Sequence, residues 1–154
     1  MTITRRALLL CGLAVPVAGT ILRPALAREP AVFAPDGHAL SGYDPVAYFT
    51  EGRPVPGRAD QALMWEGATW FFASAENRET FEMDPTRYSP RYGGYCAYAM
   101  SQRSLESADP QAFTIWNGRL YVTHSLEIRE IWRQDIPGHV ARADANWPAI
   151  LGQM

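Results

Sequence analysis

The stretch that decides the fold, residues 65–84, reads WEGATWFFASAENRETFEMD. It returns 51 positions later, without a gap, as WNGRLYVTHSLEIREIWRQD at residues 116–135. Seven paired positions are identical, and two more are aromatic in both copies. Hairpin–helix units can share turn and cap residues by chance, but seven ungapped identities favour duplication of one structural unit. Two copies do not make a solenoid, so we expect one small α+β domain.

Each copy begins with the signals of a β-hairpin. The dipeptides Glu66-Gly67 and Asn117-Gly118 suit a two-residue turn, in which both central residues adopt positive φ. Aromatic and β-branched residues flank both dipeptides, as is typical of strands. The sequence therefore predicts two antiparallel hairpins.

A helix is predicted after each hairpin. Ser74 and Ser125 stand where an N-cap is expected, and each is followed two positions later by a glutamate that the helix dipole favours. Residues 137–146 read as a further helix, begun by Asp135 and Pro137. The predicted fold is two β-hairpin–helix units plus a C-terminal helix.

The remaining segments have weaker signals. Residues 28–40 contain Pro and Gly without a clear period and are interpreted as an extended lead-in to a domain over residues 41–154. Residues 41–45 form a turn, residues 46–49 a short strand, and residues 95–102 a short helix after two glycines.

Residues 1–27 have the layout of an export signal. Arg5 and Arg6 precede an uncharged run over residues 7–22, and residues 25–27 form a small-x-small cleavage sequence. The paired arginines resemble a twin-arginine signal; a general secretory signal is the alternative. The run is short and interrupted by Gly and Pro, so we expect no membrane span after cleavage and a periplasmic or otherwise exported protein.

Charge limits the partners of the mature chain. Residues 28–154 hold eleven arginines and sixteen acidic residues, a net charge of −5, which argues against nucleic acid or an anionic membrane. The chain has no lysine, which excludes Schiff-base chemistry and a phosphate-loop lysine. A metal ion or an envelope protein is the expected partner.

The sequence RYGGYCAYAM at residues 91–100 contains the cysteine that signal cleavage leaves behind. Cys11 departs with the signal, so Cys96 has no partner for a disulfide within the chain. An unpaired thiol in an oxidising compartment is a candidate for chemistry.

Cys96 and Met100 fall four residues apart, on one face of the predicted short helix. A thiolate and a thioether suit Cu(I), with a third ligand from His38, His124 or His139. His139 lies in the first turn of the predicted C-terminal helix, where the dipole disfavours its positive form. The alternative interpretation is that both sulfurs pack in the core, where Cys and Met are common.

Two further interpretations stay open. Cys96 could be a nucleophilic or redox thiol if a nearby His, Arg or helix N-terminus lowers its pKa. Alternatively, Tyr43, Tyr92, Tyr95 and Tyr98 could line a shallow aromatic pocket with Asp44 as its polar anchor, unless these rings simply cover a sheet.

Three segments resemble a known family: GYDPVAYF, ATWFFASAENRETFEMDPTRYSPRYGGYCAYAMSQ and DIPGHVARADANWP. Together they are similar to the YHS domain proteins of bacterial envelopes over residues 42–148. The relatives of this family include small metal-binding modules attached to copper and heavy-metal transporters and sensors. The resemblance therefore implies a role in metal handling.

The chain departs from those metal-binding relatives at one point. Their strand-to-helix segment carries thiols at Cys-x3-Cys spacing, and the resemblance puts Ala73 and Asn77 at the two positions. Neither side chain replaces a thiolate as a soft-metal ligand. We therefore expect an exported, non-catalytic binding module in copper homeostasis that uses other ligands. A thiol-dependent enzyme or redox protein using Cys96 is the first alternative, and a protein-interaction module without metal is the second.

Overall fold

The computed structural model describes residues 28–153. The predicted export signal and Cys11 lie outside these residues. Within them, no helix combines the length and the apolar character that crossing a membrane would require.

The described chain contains two antiparallel hairpins, six α-helices and three short 3₁₀ turns. The strands are β1 (Arg58–Trp65), β2 (Ala68–Phe72), β3 (Asp109–Trp116) and β4 (Arg119–Thr123). The helices are α1 (Ala47–Thr50), α2 (Ala75–Met83), α3 (Pro85–Tyr88), α4 (Ala97–Ser101), α5 (Leu126–Arg133) and α6 (Ile136–Asn146). The 3₁₀ turns are Ala39–Gly42, Arg91–Gly94 and Ala149–Gly152. The predicted α+β class is confirmed.

Both hairpins close through the predicted dipeptides. Glu66 and Gly67 have φ of 49° and 77°, and Asn117 and Gly118 have φ of 48° and 69°. Positive φ at both central residues matches the right-handed twist of the flanking strands. β1 pairs with β2, and β3 with β4, and the register shifts at the same place in each hairpin.

The predicted N-caps are also present. The Ser74 hydroxyl accepts the Asn77 N–H at 3.1 Å, and the Ser125 hydroxyl accepts the Ile128 N–H at 3.2 Å. Asp135 caps α6 by accepting the Gly138 N–H at 3.0 Å. Each acceptor satisfies a backbone donor that the first helical turn leaves unpaired.

Two local predictions need correction. Residues 46–49 do not form a strand; they enter α1, because the Asp44 carboxylate accepts the N–H groups at the start of that helix. The helix predicted over residues 95–102 is shorter, and Cys96 is its N-cap rather than a member of its first turn.

The two hairpin–helix units are built around two apolar clusters, and Leu120 and Val122 of β4 pack in the cluster of the first unit. In the first unit Trp70 lies 5.1 Å from Phe81 between ring centroids, and in the second Tyr121 lies 5.1 Å from Trp132. These are the same pair of positions, 51 residues apart. All four side chains are buried, so the duplication read from the sequence is also a duplication of the core.

The duplication extends upstream of the segment that the sequence revealed. Leu40 and Ser41 have positive φ, as do Tyr92 and Gly93, which lie 52 positions later. The 3₁₀ turns that contain them end in the same hydrogen bond, from the N–H of Tyr43 or Tyr95 to the carbonyl three residues earlier. The helices that follow, α1 and α4, therefore occupy equivalent places.

Candidate functional site

Asp44 anchors the first unit through a fully buried carboxylate. Its side chain is 0% exposed. Oδ1 accepts the N–H groups of Val46 at 2.8 Å and Ala47 at 3.3 Å. Oδ2 accepts the Ala73 N–H at 2.8 Å and the Asn77 side-chain amide at 2.7 Å. Four donors from three parts of the chain thus compensate one buried charge, because hydrogen bonds to a carboxylate are strong ones.

This arrangement explains how the first unit does without the expected thiols. Ala73 and Asn77, the positions at which the resemblance implied thiols, both turn an N–H group toward Asp44. An N–H donor cannot ligate a metal ion. The first unit therefore holds its strand end and its helix together by hydrogen bonds to Asp44 through these two positions.

Cys96 takes the equivalent place in the second unit. Its Sγ accepts the Ala99 N–H at 3.4 Å, which caps α4, and the His124 N–H at 3.2 Å. His124 lies 51 positions after Ala73, so the same strand end donates to Asp44 in one unit and to Cys96 in the other. Cys96 is 1% exposed, and it is the free cysteine of the described chain.

The environment of Cys96 favours the neutral thiol. Burial raises the pKa of the Cys96 thiol, and the N–H groups of Ala99, His124 and Tyr98 oppose that rise. The nearby Glu106 carboxylate raises the pKa further. Because desolvation is the largest of these effects, the thiol stays protonated at neutral pH unless something replaces its proton.

Met100 places a second sulfur one helical turn from Cys96. The Met100 N–H donates to the Cys96 carbonyl at 2.9 Å, the ordinary spacing of one α-helical turn. Met100 is fully buried and belongs to the apolar cluster of the second unit. The two sulfur-bearing residues that the sequence paired are thus one helical turn apart along the backbone, and both are buried.

Of the three histidines, His124 is the one beside Cys96. Its Nδ1 lies 3.1 Å from both the hydroxyl and the carbonyl oxygen of Ser107. A carbonyl only accepts, so Nδ1 carries the hydrogen and Nε2 keeps its lone pair. The side chain is exposed, so Nε2 is available to a ligand.

The other two histidines are placed elsewhere. His38 is exposed and stacks on Phe71 of the first hairpin at 4.6 Å between centroids. Nδ1 of His139 lies 2.9 Å from the Ser101 hydroxyl oxygen and 3.0 Å from an Arg142 nitrogen. Neither histidine contacts Cys96. Among residues 28–153, no group of three or more His, Cys, Asp and Glu side chains could hold a metal ion.

The five residues expected to share one aromatic pocket are not brought together. Asp44 is buried against α1 and α2, and Tyr43 packs on the apolar cluster of the first unit. Tyr92, Tyr95 and Tyr98 belong to the cluster of the second unit. Tyr43 and Tyr95 lie 52 positions apart and occupy equivalent places in the two units, so they pack on different clusters.

A cavity lies beside the segment that holds Cys96. It measures about 440 Å³ and is lined by Phe33, Tyr95, Leu105, Glu106 and Ser107, among others. The Glu106 carbonyl accepts the Cys96 N–H at 3.0 Å. Glu106, which lines this cavity, thus also contacts the backbone of Cys96.

Sequence reasoning missed the partners of Asp44 and the cluster around His139. A usable signal was present, because Gly42-Tyr43 and Gly94-Tyr95 are identical dipeptides 52 positions apart. Aligning them would have paired Asp44 with Cys96.

A comparison with known protein families found a match to part of the first unit. Residues 46–92 match the family model described as the YHS domain, from the entry into α1 to the start of the second unit. No curated protein and no solved structure matched the chain. Cys96, Met100 and His124 lie beyond the matched residues. Residues 46–92 are therefore similar to the YHS domain, a family associated with metal handling.

Proposed function

We propose that this protein is an exported, non-catalytic binding module in copper homeostasis, which carries Cu(I) as cargo at Cys96, Met100 and His124. One observation carries the proposal. In the second unit a thiol stands where the first unit has the carboxylate of Asp44, at the junction of a strand end and a short helix. The duplication thus supplies a soft ligand in the unit that lacks the Asp44 network.

The three donors match the preference of the proposed cargo. Thiolate and thioether sulfur select Cu(I) over harder cations, and a neutral imidazole completes a trigonal set. His124 supplies a free Nε2, since its Nδ1–H is held by Ser107. Copper would replace the thiol proton, so binding would release one proton and strengthen as pH rises.

Binding is better supported than thiol catalysis. A nucleophilic cysteine needs a base or a cation that lowers its pKa, whereas burial raises the pKa of Cys96. Nδ1 of His124, the ring nitrogen that faces Ser107, carries a hydrogen and cannot accept the thiol proton. The contact between His124 and Cys96 runs through the backbone N–H, which can hold a thiolate but cannot remove a proton.

Export and partner choice follow from the sequence. The paired arginines, uncharged run and cleavage sequence of residues 1–27 favour transport to the periplasm. A net charge of −5 on residues 28–154 favours a cation or an envelope protein over nucleic acid.

Titration with Cu(I) under reducing conditions tests the proposal. We expect one Cu(I) per chain, no stoichiometric binding by Cys96→Ala, and an affinity about tenfold or more lower for Met100→Leu, which conserves volume but removes the sulfur. His38→Ala is the matched control, because His38 lies on the first hairpin, and its affinity should equal that of the wild type. Absence of stoichiometric binding, or binding indifferent to Cys96 and Met100, would refute the site.

A further inference from the structure

A polar cavity lies between α3 of the first unit and the turn of the second hairpin. It measures about 320 Å³ and is lined by Asp84, Thr86, Arg87, Asn117, Gly118 and Arg119. The first three of these residues lie at the start of α3, and the other three lie at the turn between β3 and β4. None of the six carries a large apolar side chain, so the cavity suits a polar ligand that can satisfy its hydrogen-bonding groups.

Arg119 is held at one wall of this cavity by a contact with the main chain. Its Nη1 donates to the Thr86 carbonyl at 2.9 Å, and the residue is half-buried. Within residues 28–153, Arg119 forms no ion pair. A guanidinium carries several N–H donors and no acceptor, so one contact with a carbonyl leaves other donors for a ligand.

Arg87 supplies a second positive charge from α3. Its guanidinium carbon lies 5.6 Å from the centre of the Tyr88 ring, and among the described residues the side chain forms no ion pair. Asp84 contributes the negative charge of the lining, and its Oδ1 accepts the Arg87 backbone N–H at 3.2 Å. The lining therefore has a net charge of +1, although residues 28–154 together carry −5.

The duplication indicates that neither arginine belongs to the repeated framework. At the offset of 51 residues, Arg119 corresponds to Ala68, and Arg87 corresponds to Gly138. The turn of the first hairpin also begins with an acid, where the second hairpin has Asn117. Each hairpin–helix unit is thus built once without an arginine at the position in question, so the two positive charges are additions that the fold itself does not require.

The donors that line the cavity select an oxyanion. The planar fork of a guanidinium binds two oxygens of a carboxylate or phosphate group, and such charge-assisted hydrogen bonds are stronger than neutral ones. Thr86 and Asn117 add a hydroxyl and an amide, which can complete the set. A volume of about 320 Å³ equals that of about ten water molecules at roughly 30 Å³ each, which is room for a small polar molecule.

We propose that this cavity binds a small polar molecule through a phosphate or carboxylate group held between Arg87 and Arg119. The oxyanion site goes beyond the proposed function and does not depend on it, since the lining of the cavity includes none of the three proposed copper ligands. One arginine comes from each unit, so a bound oxyanion would bridge the two units.

Nuclear magnetic resonance titration of the metal-free protein tests the site, with inorganic phosphate and succinate as separate probes at constant ionic strength. We expect saturable shifts of the backbone N–H signals of Asn117, Gly118 and Arg119 with at least one probe. The probe that binds more tightly identifies the ligand group as phosphate or carboxylate. Arg87→Gln and Arg119→Gln should each weaken binding about tenfold or more, the loss expected for one charged hydrogen-bond partner.

Arg53→Gln is the matched control, because it removes the same charge from an exposed ion pair with Glu51 outside the cavity. Its affinity should equal that of the wild type. Urea unfolding checks Arg119→Gln, which loses the bond to Thr86, whereas Arg87→Gln breaks no ion pair and tests the site independently. No saturable shift with either probe, a wild-type affinity in Arg87→Gln, or equal weakening by Arg53→Gln would overturn the site. Because no copper is present, these results are separate from the outcome of the Cu(I) titration.

Discussion

Replacing Asp44 by alanine is expected to lower the free energy of unfolding by about 4 kcal/mol. The change leaves four N–H groups without the acceptor that they share, and each unsatisfied buried donor costs about 1 kcal/mol or more. Two of these donors begin α1, and the other two belong to Ala73 and Asn77, at the strand-to-helix junction of the first unit. One substitution thus detaches the turn before α1 from the hairpin.

Urea unfolding of Asp44→Ala measures this loss, with Asp60→Ala as its control. Asp60 is an exposed carboxylate paired with Arg58 on the surface, so its removal should change stability by no more than about 0.5 kcal/mol. Equal effects of the two substitutions would show that the Asp44 network does not hold the first unit together.

Replacing Gly93 by alanine is expected to cost about 3 kcal/mol or more. A Cβ at Gly93 would lie 1.8 Å from the carbonyl oxygen of Ala31, so the lead-in must move away. That segment is fixed by a hydrogen bond from the Phe33 N–H to the Gly93 carbonyl at 2.9 Å, and it buries Val32. Losing this bond and the Val32 packing adds about 2 kcal/mol to the roughly 1 kcal/mol cost of positive φ at alanine.

The variant Gly37→Ala separates the backbone cost of positive φ from the cost of the clash with the lead-in. Gly37 has φ of 80°, but a Cβ there meets no atom within 4 Å, so only the backbone cost of about 1 kcal/mol applies. Thermal or urea unfolding of both variants should show a clearly larger loss for Gly93→Ala. A loss no greater than that of Gly37→Ala would mean that the lead-in does not dock on the second unit as described.

Local features of the fold could be predicted from the sequence because each depends on a few consecutive residues. The dipeptides Glu66-Gly67 and Asn117-Gly118 select their turn type by backbone sterics alone. Ser74 and Ser125 cap the helices that they precede.

The error over residues 46–49 has a different origin. A short apolar run is equally compatible with a strand or a buried helix, and the side chain that decides is Asp44, two residues upstream. The same carboxylate reaches Ala73 and Asn77, which are 29 and 33 positions away. A contact between residues so far apart cannot be predicted from a local sequence pattern.

The candidate site could be predicted only in part for a similar reason. Cys96 and Met100 are four residues apart, which is the spacing of about one helical turn, so their pairing could be predicted from the sequence. The contact between Cys96 and His124 spans 28 positions and becomes visible only through the duplication. The duplication upstream was harder to recognise because the offset changes from 52 to 51 between residues 44 and 55, where the first unit holds one more residue than the second.

The most direct test of Cys96 as the copper ligand is X-ray absorption at the copper edge of the Cu(I)-loaded protein. We expect sulfur scatterers from Cys96 and Met100 with a lighter scatterer from His124, and Cys96→Ser should lose the thiolate sulfur contribution. A first shell of nitrogen and oxygen alone, or identical spectra for wild type and Cys96→Ser, would contradict the proposal that the second unit binds copper through its thiol.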